Sequence, residues 1–415
     1  MLGSGMVLAA MPFAVFAVGG SATDVGLVLA VQGAGLLGAL PFAGVVGDRF
    51  DRRSMLVVAD LIRVACQSTI AILLLSGAAT VTMLMASQLA LGVATGFFQP
   101  TSRSIVPDVA GEDFIQPTTA LKGMVYGLAG SLGPALGAVA IAVVGPGLAM
   151  AADAATFAIS AALIVGIHRS ASHTEESESR GGFIADLRYG LTQFVRRPWL
   201  RAVTIQFLIV NALVICPFYV LGPALAGESL GGSDAWALLL IGMAVGQIIG
   251  SALGGSLRAE RPLVTATAAF TLYAVPLLFL AFLLPLPVLV LGALIGGIGE
   301  MVFVVLWETT FQTHTPSGER SRISSIEEIA GLGPVPLGFA LAGGLNVVIG
   351  ARSGLLLSAG LLLVSSLVVL ALPSIRTLPR AGSASDSDGA ESDPSRAEPP
   401  LPARKAALTG GGSTA

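Results

Sequence analysis

GDRFDRR, residues 47–53, packs Asp48, Arg49, Asp51, Arg52 and Arg53 together in a chain of which only 11% is charged. Apolar runs flank it on both sides, at 25–46 and 55–76, and about 20 mostly apolar residues suffice to cross a bilayer core of roughly 30 Å as a helix. The charges therefore mark a loop at a membrane surface. The same alternation of apolar run and short polar break continues along the chain.

The 415 residues are 54% hydrophobic with a mean hydropathy of +0.84, whereas a soluble domain is roughly a quarter charged. Twelve spans are predicted: 2–19, 25–46, 55–76, 80–100, 118–143, 146–167, 202–225, 234–257, 262–284, 286–311, 325–348 and 353–372. The runs are continuous rather than alternating over about 10 residues, so a barrel is excluded and the expected fold is an all-α membrane protein of twelve transmembrane helices. Glycine, 52 of the residues, predicts close helix packing. The first run has no basic segment before it and reads as a span, not a cleaved signal peptide. Cys66 and Cys216 fall inside spans, where they read as small buried hydrophobes.

Of the 22 Lys and Arg, all but Arg63 and Arg352 lie in or beside the even-to-odd loops or after the last span. The positive-inside rule then places both termini and those loops in the cytoplasm of a cell membrane protein. The longest break divides the spans into a six-helix bundle at 1–167 and another at 202–375, joined by a linker at 168–201. Within the linker Phe183, Ile184, Leu187, Leu191, Phe194 and Val195 recur at helical spacing opposite Asp186, Arg188, Gln193 and Arg196. This pattern predicts an amphipathic helix on the membrane surface. The tail, 376–415, turns Ser-, Asp-, Gly- and Pro-rich from Arg380 and is expected to be disordered.

The two halves echo each other. AGSLGPALG at 129–137 matches AGLGPVPLG at 330–338 with one deletion, and GDRFDRR has a degenerate counterpart in GGSLRAER at 254–261. Arg103 with Pro107 parallels Gln312 with Pro316. Two repeats of six helices are a transporter signature, with the substrate site near the midplane between them.

Enzyme signals are weak by comparison. GAGLLG at 33–38 fits a dinucleotide fingerprint, but inside an apolar span it reads as helix packing. GESLG at 227–231 fits a nucleophile elbow and reads as a turn between helices. Lys122 and Lys405 are the two lysines, and neither follows a phosphate-binding glycine loop, so ATP is not the direct energy source. No cofactor, metal or nucleic-acid partner is expected, and the chain is expected to act as a monomer.

Charges inside spans are different, because each costs about 2.5 to 3.5 kcal/mol at a helix centre on insertion scales. Asp60 and Arg63, three apart, are expected to pair. Asp153, Glu300 and Glu308 have no basic neighbour in sequence and are the candidates for proton coupling. Phe97, Phe98, Gln206, Asn211, Tyr219 and Trp307 are the candidates for contacts to a small-molecule substrate, to be weighed against plain packing.

GVVGDRFDRR at 44–53 resembles the loop motif of the major facilitator superfamily, G-x-x-x-D-R-x-G-R-R, between the second and third spans. FFQPTSRSIVP at 97–107, LGPALGAVA at 132–140 and AADAATFAISAAL at 151–163 extend the resemblance to the subgroup of macrolide efflux proteins and enterobactin-type siderophore exporters. It covers about residues 1–375. The resemblance implies a proton-coupled secondary transporter that exports amphipathic small molecules by alternating access. Importers and lipid transporters share these features, and a receptor without transport stays open as well. It also implies that Gly44 allows close packing, and that Asp48 faces Glu327 and Glu328 at a cytoplasmic gate completed by Arg49, Arg52 and Arg53. Gly130, Gly133, Pro134 and Gly137 are similar to the antiporter motif G-P-x-x-G-G, with Ala138 in place of its last glycine. Asp51 stands where the superfamily has glycine. The subgroup's ten or more leading residues are missing here, so a shortened first helix is expected.

Overall fold

The computed structural model describes residues 2–47, 50–104, 115–166 and 192–379. Among them there is no strand. The helices are α1 Leu2–Ala17, α2 Ala22–Gly47, α3 Arg52–Leu75, α4 Val81–Ser104, α5 Ile115–Val165, α6 Pro198–Val210, α7 Cys216–Ser229 and α8 Ser233–Ser256. They continue as α9 Pro262–Phe270, α10 Ala274–Ala281, α11 Leu286–His314, α12 Ser317–Leu332, α13 Val335–Ala371 and α14 Pro373–Arg376. A π-turn, Asn211–Ile215, links α6 to α7, and a 3₁₀ turn, Thr271–Tyr273, links α9 to α10.

Among the described residues nine stretches are long and apolar enough to cross a membrane, including Leu132–Val165 and Ile329–Ala371 at 34 and 43 residues. At 1.5 Å per residue these two run to about 51 and 65 Å, more than one crossing. Each is broken at a single glycine: Gly145 (φ 78, ψ 171) in α5 and Gly350 (φ 78, ψ 162) in α13. That region of backbone space is open essentially to glycine alone. The breaks fall where the predicted fifth and eleventh spans give way to the next, and with α1 they make the helix set consistent with twelve crossings.

Three predicted spans differ in detail. The seventh carries the π-turn, and the ninth its 3₁₀ turn. The eleventh, expected from 325, is helical from Ser317, divides at Gly333–Pro334 and resumes at Val335. Pro334 and Pro336 cannot donate backbone hydrogen bonds, which separates the polar α12 from the apolar α13. The predicted amphipathic linker helix lies outside the described residues except at 192–196, which are helical. The tail from 380 lies outside them too.

Packing follows glycine. In the α2–α4 interface Gly35 meets the Leu89 carbonyl and Gly92 the Gln32 carbonyl; in α8–α11, Gly246 meets Leu294 and Gly297 meets Met243. At each of these positions a Cβ would overlap the facing backbone. The sequence echo reappears as geometry, since Gly137 presses on Met6 of α1 and Gly338, last in the matching stretch, presses on Ala212 of the π-turn.

Gly137→Ala is expected to destabilise by about 1–3 kcal/mol through overpacking against α1. Gly130, exposed with nothing near a Cβ position, is expected to accept alanine within about 0.5 kcal/mol. Thermal unfolding of the detergent-purified variants separates the two, and equal midpoints would refute the contact's importance.

Candidate functional site

Acidic side chains enclosed among the apolar helices occur in two places. On α3, Asp60, Arg63 and Gln67 share one face, as residues three and four apart do. The expected pair forms: Arg63 Nη1 donates to Asp60 Oδ1 at 3.0 Å. Ser160 of α5 donates to the other Asp60 oxygen at 2.6 Å. The Arg63 guanidinium lies 4.1 Å over the Phe98 ring and 5.2 Å from that of Phe157, so two aromatic faces add to its stabilisation.

One turn further along α3, Gln67 donates to Asp153 Oδ2 and accepts from Gln88 of α4 at 3.5 Å. Thr156 donates to the Asp153 carbonyl at 2.8 Å and reaches Oδ1 at 3.4 Å. Asp60, Gln67, Gln88 and Asp153 have no exposed surface, and Arg63 retains 4%. α3, α4 and α5 are thus tied by two adjoining sets of buried bonds, one around Asp60 and Arg63 and one around Gln67 and Asp153. Buried polar groups are tolerated when bonded in this way.

The second place is α11. Glu300 accepts from Gln247 of α8 at 2.9 Å, across the interface that Gly246 and Gly297 draw together. Tyr219 and Tyr273, which lie near Glu300, form an aromatic cluster with Phe218 and Trp236, with centroids 5.1 to 6.4 Å apart. No Lys or Arg occurs at 202–257 or 262–314, which covers α7 to α11 and most of α6.

Glu308 lies two turns toward the other end of α11, is exposed, and accepts from Gln312 at 2.7 Å. Beside it Trp307 packs edge-on to Trp199 at 5.9 Å and near Phe311 at 6.2 Å. The three candidate acids are therefore not in one site: Asp153 belongs to the α3–α5 network, Glu300 to the α8–α11 interface, and Glu308 to the end of α11.

The substrate candidates scatter as well. Phe98 is stacked under Arg63, while neighbouring Phe97 lines a separate apolar groove of about 740 Å³ between α3 and α4, with Val58, Ile62 and Val93. Gln206 donates to Ser366 at 3.0 Å and ties α6 to α13. Asn211 opens the π-turn, with its Nδ2 buried and unbonded. Tyr219 joins Glu300. Sequence reasoning missed Gln67, Gln88 and Gln247, the amides that hold the buried acids; the available signal was an amide within an apolar run.

In the opening loop, Asp51 caps α3, accepting from the Ser54 N–H at 3.0 Å and its hydroxyl at 2.8 Å. Arg53 donates to the last carbonyls of α5, Ile164 at 3.2 Å and Val165. Arg52 is partly buried on the first turn of α3, and Gly44 lies in the last turn of α2. Asp48 and Arg49 lie outside the described residues, as does the side chain of Glu328. Of the antiporter-like residues, Gly133, Pro134 and Gly137 face α1, and at Gly130 no described residue lies within 4 Å of where a Cβ would stand.

The chain is 28% identical over 390 residues to the multidrug efflux pump Tap of Mycobacterium tuberculosis, covering 91% of each protein. It is 28% identical over 391 residues to Tap of Mycolicibacterium fortuitum, covering 91% of this chain and 93% of that one. Among solved structures it is similar to the nucleoside transporter NupG, with a TM-score of 0.67 at 13% identity over 91% of this chain and 96% of the other. A bacterial homologue of the iron transporter ferroportin in an inward-facing state gives a TM-score of 0.65 at 14% identity, over 89% of this chain and 94% of that one. The pattern of the Major Facilitator Superfamily matches residues 1–330, so the chain belongs to that superfamily: a multi-pass, all-helical transporter of small molecules, not an enzyme.

Proposed function

We propose that this transporter exports amphipathic small molecules across the plasma membrane in exchange for protons, acting as a monomer with both termini in the cytoplasm. The observation that carries the reading is the near end-to-end similarity to pumps named for multidrug efflux. Two six-helix halves, 1–167 and 202–375, would rock about a central site, with 168–201 as their linker and 376–415 as a tail.

Packing between the proposed halves supports alternating access. α7 packs on α13 and also reaches α1 and α2 of the other proposed half, while α6, the other part of the same span, packs on α12 and α13. Thr23 donates to the Gly343 carbonyl at 3.1 Å, and Gly26 meets Phe339. On α2 these contacts run from its first turn, remote from GDRFDRR, to its middle, where Gly33 meets Pro336 of α13. With that loop cytoplasmic, this closure in the outer half of α2 supports an inward-facing reading of the conformation.

For the coupled proton, Glu300 is the strongest candidate and Asp153 and Glu308 the weaker ones. A coupling acid must exchange its proton with water in one state and be shielded in another. Glu300 keeps some exposed surface and a single described hydrogen-bond partner, while Asp153 is fully enclosed and multiply bonded. Tyr219 beside Glu300 is the best placed of the substrate candidates; Phe97, Gln206 and Trp307 have packing roles. Asn211, with its unbonded amide, stays a candidate.

In everted vesicles, Glu300→Gln is expected to abolish substrate accumulation driven by a pH gradient while substrate exchange without a gradient persists. Unchanged gradient dependence would remove Glu300 as the coupling site, and accumulation by whole cells instead of vesicles would turn the exporter into an importer.

Asp48→Ala, in protein shown to be correctly inserted, is expected to impair transport through the proposed gate of Asp48, Arg49, Arg52 and Arg53. Asp51→Ala is expected to lose about 1 kcal/mol of stability from its cap while transport is retained. Wild-type flux in the Asp48 variant would reduce the loop to an orientation signal.

A further inference from the structure

Two loops far apart in sequence, one following α8 and one following α14, meet over a surface cavity of about 670 Å³. Arg258 and Arg261 enter it from the first loop, Arg376 and Thr377 from the second, with Glu260 as the acid in its lining. Among the described residues no carboxylate stands within salt-bridge distance of any of the three arginines. Arg376 is nevertheless anchored, because its Nε donates to the Leu370 carbonyl at 2.6 Å, which leaves the terminal amino groups for another partner.

Setting the orientation of a membrane protein requires basic residues on one side, but not that they converge. Guanidinium groups brought around one cavity repel one another, at a cost that an anion between them reverses. A guanidinium is also the side chain best matched to a phosphate, which it binds through parallel N–H donors. The three arginines outweigh Glu260 by two charges, enough for a singly or doubly charged phosphate group.

The surroundings favour a lipid as the source. Leu253 in the last turn of α8 and Leu257 just after it, which precede Arg258 in sequence, are each 45% exposed, and they offer an apolar surface for an acyl chain leading up to the charged cavity. With the orientation proposed above, the cavity lies at the inner leaflet, where anionic headgroups concentrate and basic pockets at helix ends capture them. We propose that Arg258, Arg261 and Arg376 form a phosphate-binding site filled by the headgroup of an anionic phospholipid of the cytoplasmic leaflet.

The test uses the full chain purified in a neutral detergent, with thermal unfolding followed as phosphatidylglycerol, phosphatidylcholine or inorganic phosphate is added. Phosphatidylglycerol is expected to raise the midpoint saturably, and phosphatidylcholine is not. Arg258→Gln, Arg261→Gln and Arg376→Gln should each weaken the apparent affinity about fivefold. The corresponding lysine variants should recover most of it, which guards against loss through misfolding. Arg201→Gln, in the first turn of α6 and outside the cavity, should leave the affinity unchanged. An equal loss in that variant would mean general surface attraction and overturn the site, as would a phosphatidylglycerol effect that survives all three glutamine variants. Inorganic phosphate that stabilises as strongly at equal concentration would overturn the lipid as the source.

Discussion

Hydrocarbon offers no partner to a polar group, and most of this molecule follows from that constraint. Backbone donors and acceptors are satisfied within helices, so the chain can turn inside a long apolar stretch only where one residue tolerates an unusual geometry, as Gly145 and Gly350 do. Polar side chains within spans must find partners on neighbouring helices. Gln247 reaches Glu300 because Gly246 and Gly297 let α8 and α11 approach to backbone contact, and glycine against carbonyl is what brings α2 onto α4 in the same way. Where the helices could not close so far, the amide would be left unbonded at a cost of several kcal/mol.

The length of an apolar run was therefore legible, and with it the helices and both glycine breaks. Rotation was not. A helix that is apolar all round carries no periodic signal to say which face meets which neighbour. Phe97 and Phe98 illustrate the loss: adjacent in sequence, they point about 100° apart on α4, one into an apolar groove and the other beneath Arg63. The π-turn at Asn211 was equally hidden, since an extra residue in a turn changes hydrogen bonding without changing composition. Asp60 with Arg63 was legible because its partners lie on one helix. Asp153 with Gln67 was not, because 86 residues separate them.

The charges of GDRFDRR divide by role. Arg53 neutralises carbonyls that end α5, where a cation is favoured by the helix dipole, and Asp51 occupies the opposite situation at the start of α3. The departure from glycine at Asp51 thus has a local explanation as a helix cap. Asp48 lies outside the described residues, and the gate stays a proposal for it.

The two repeats treat buried charge in opposite ways, and this bears on where a proton could act. In the first, Asp60 is paired with Arg63 and Asp153 is held in the adjoining set by Gln67, and every change of protonation would strip a partner from a fully enclosed group. Breaking such a buried set is costly, on the order of 3–5 kcal/mol, so its energetics favour a fixed scaffold. In the second, Glu300 has an amide for a partner and no Lys or Arg on the helices packed around its own, α8, α9 and α10. Gaining a proton would relieve an uncompensated charge there without stranding a cation. That contrast favours the proposal of Glu300 over Asp153 as the coupling acid, on grounds independent of their positions in sequence.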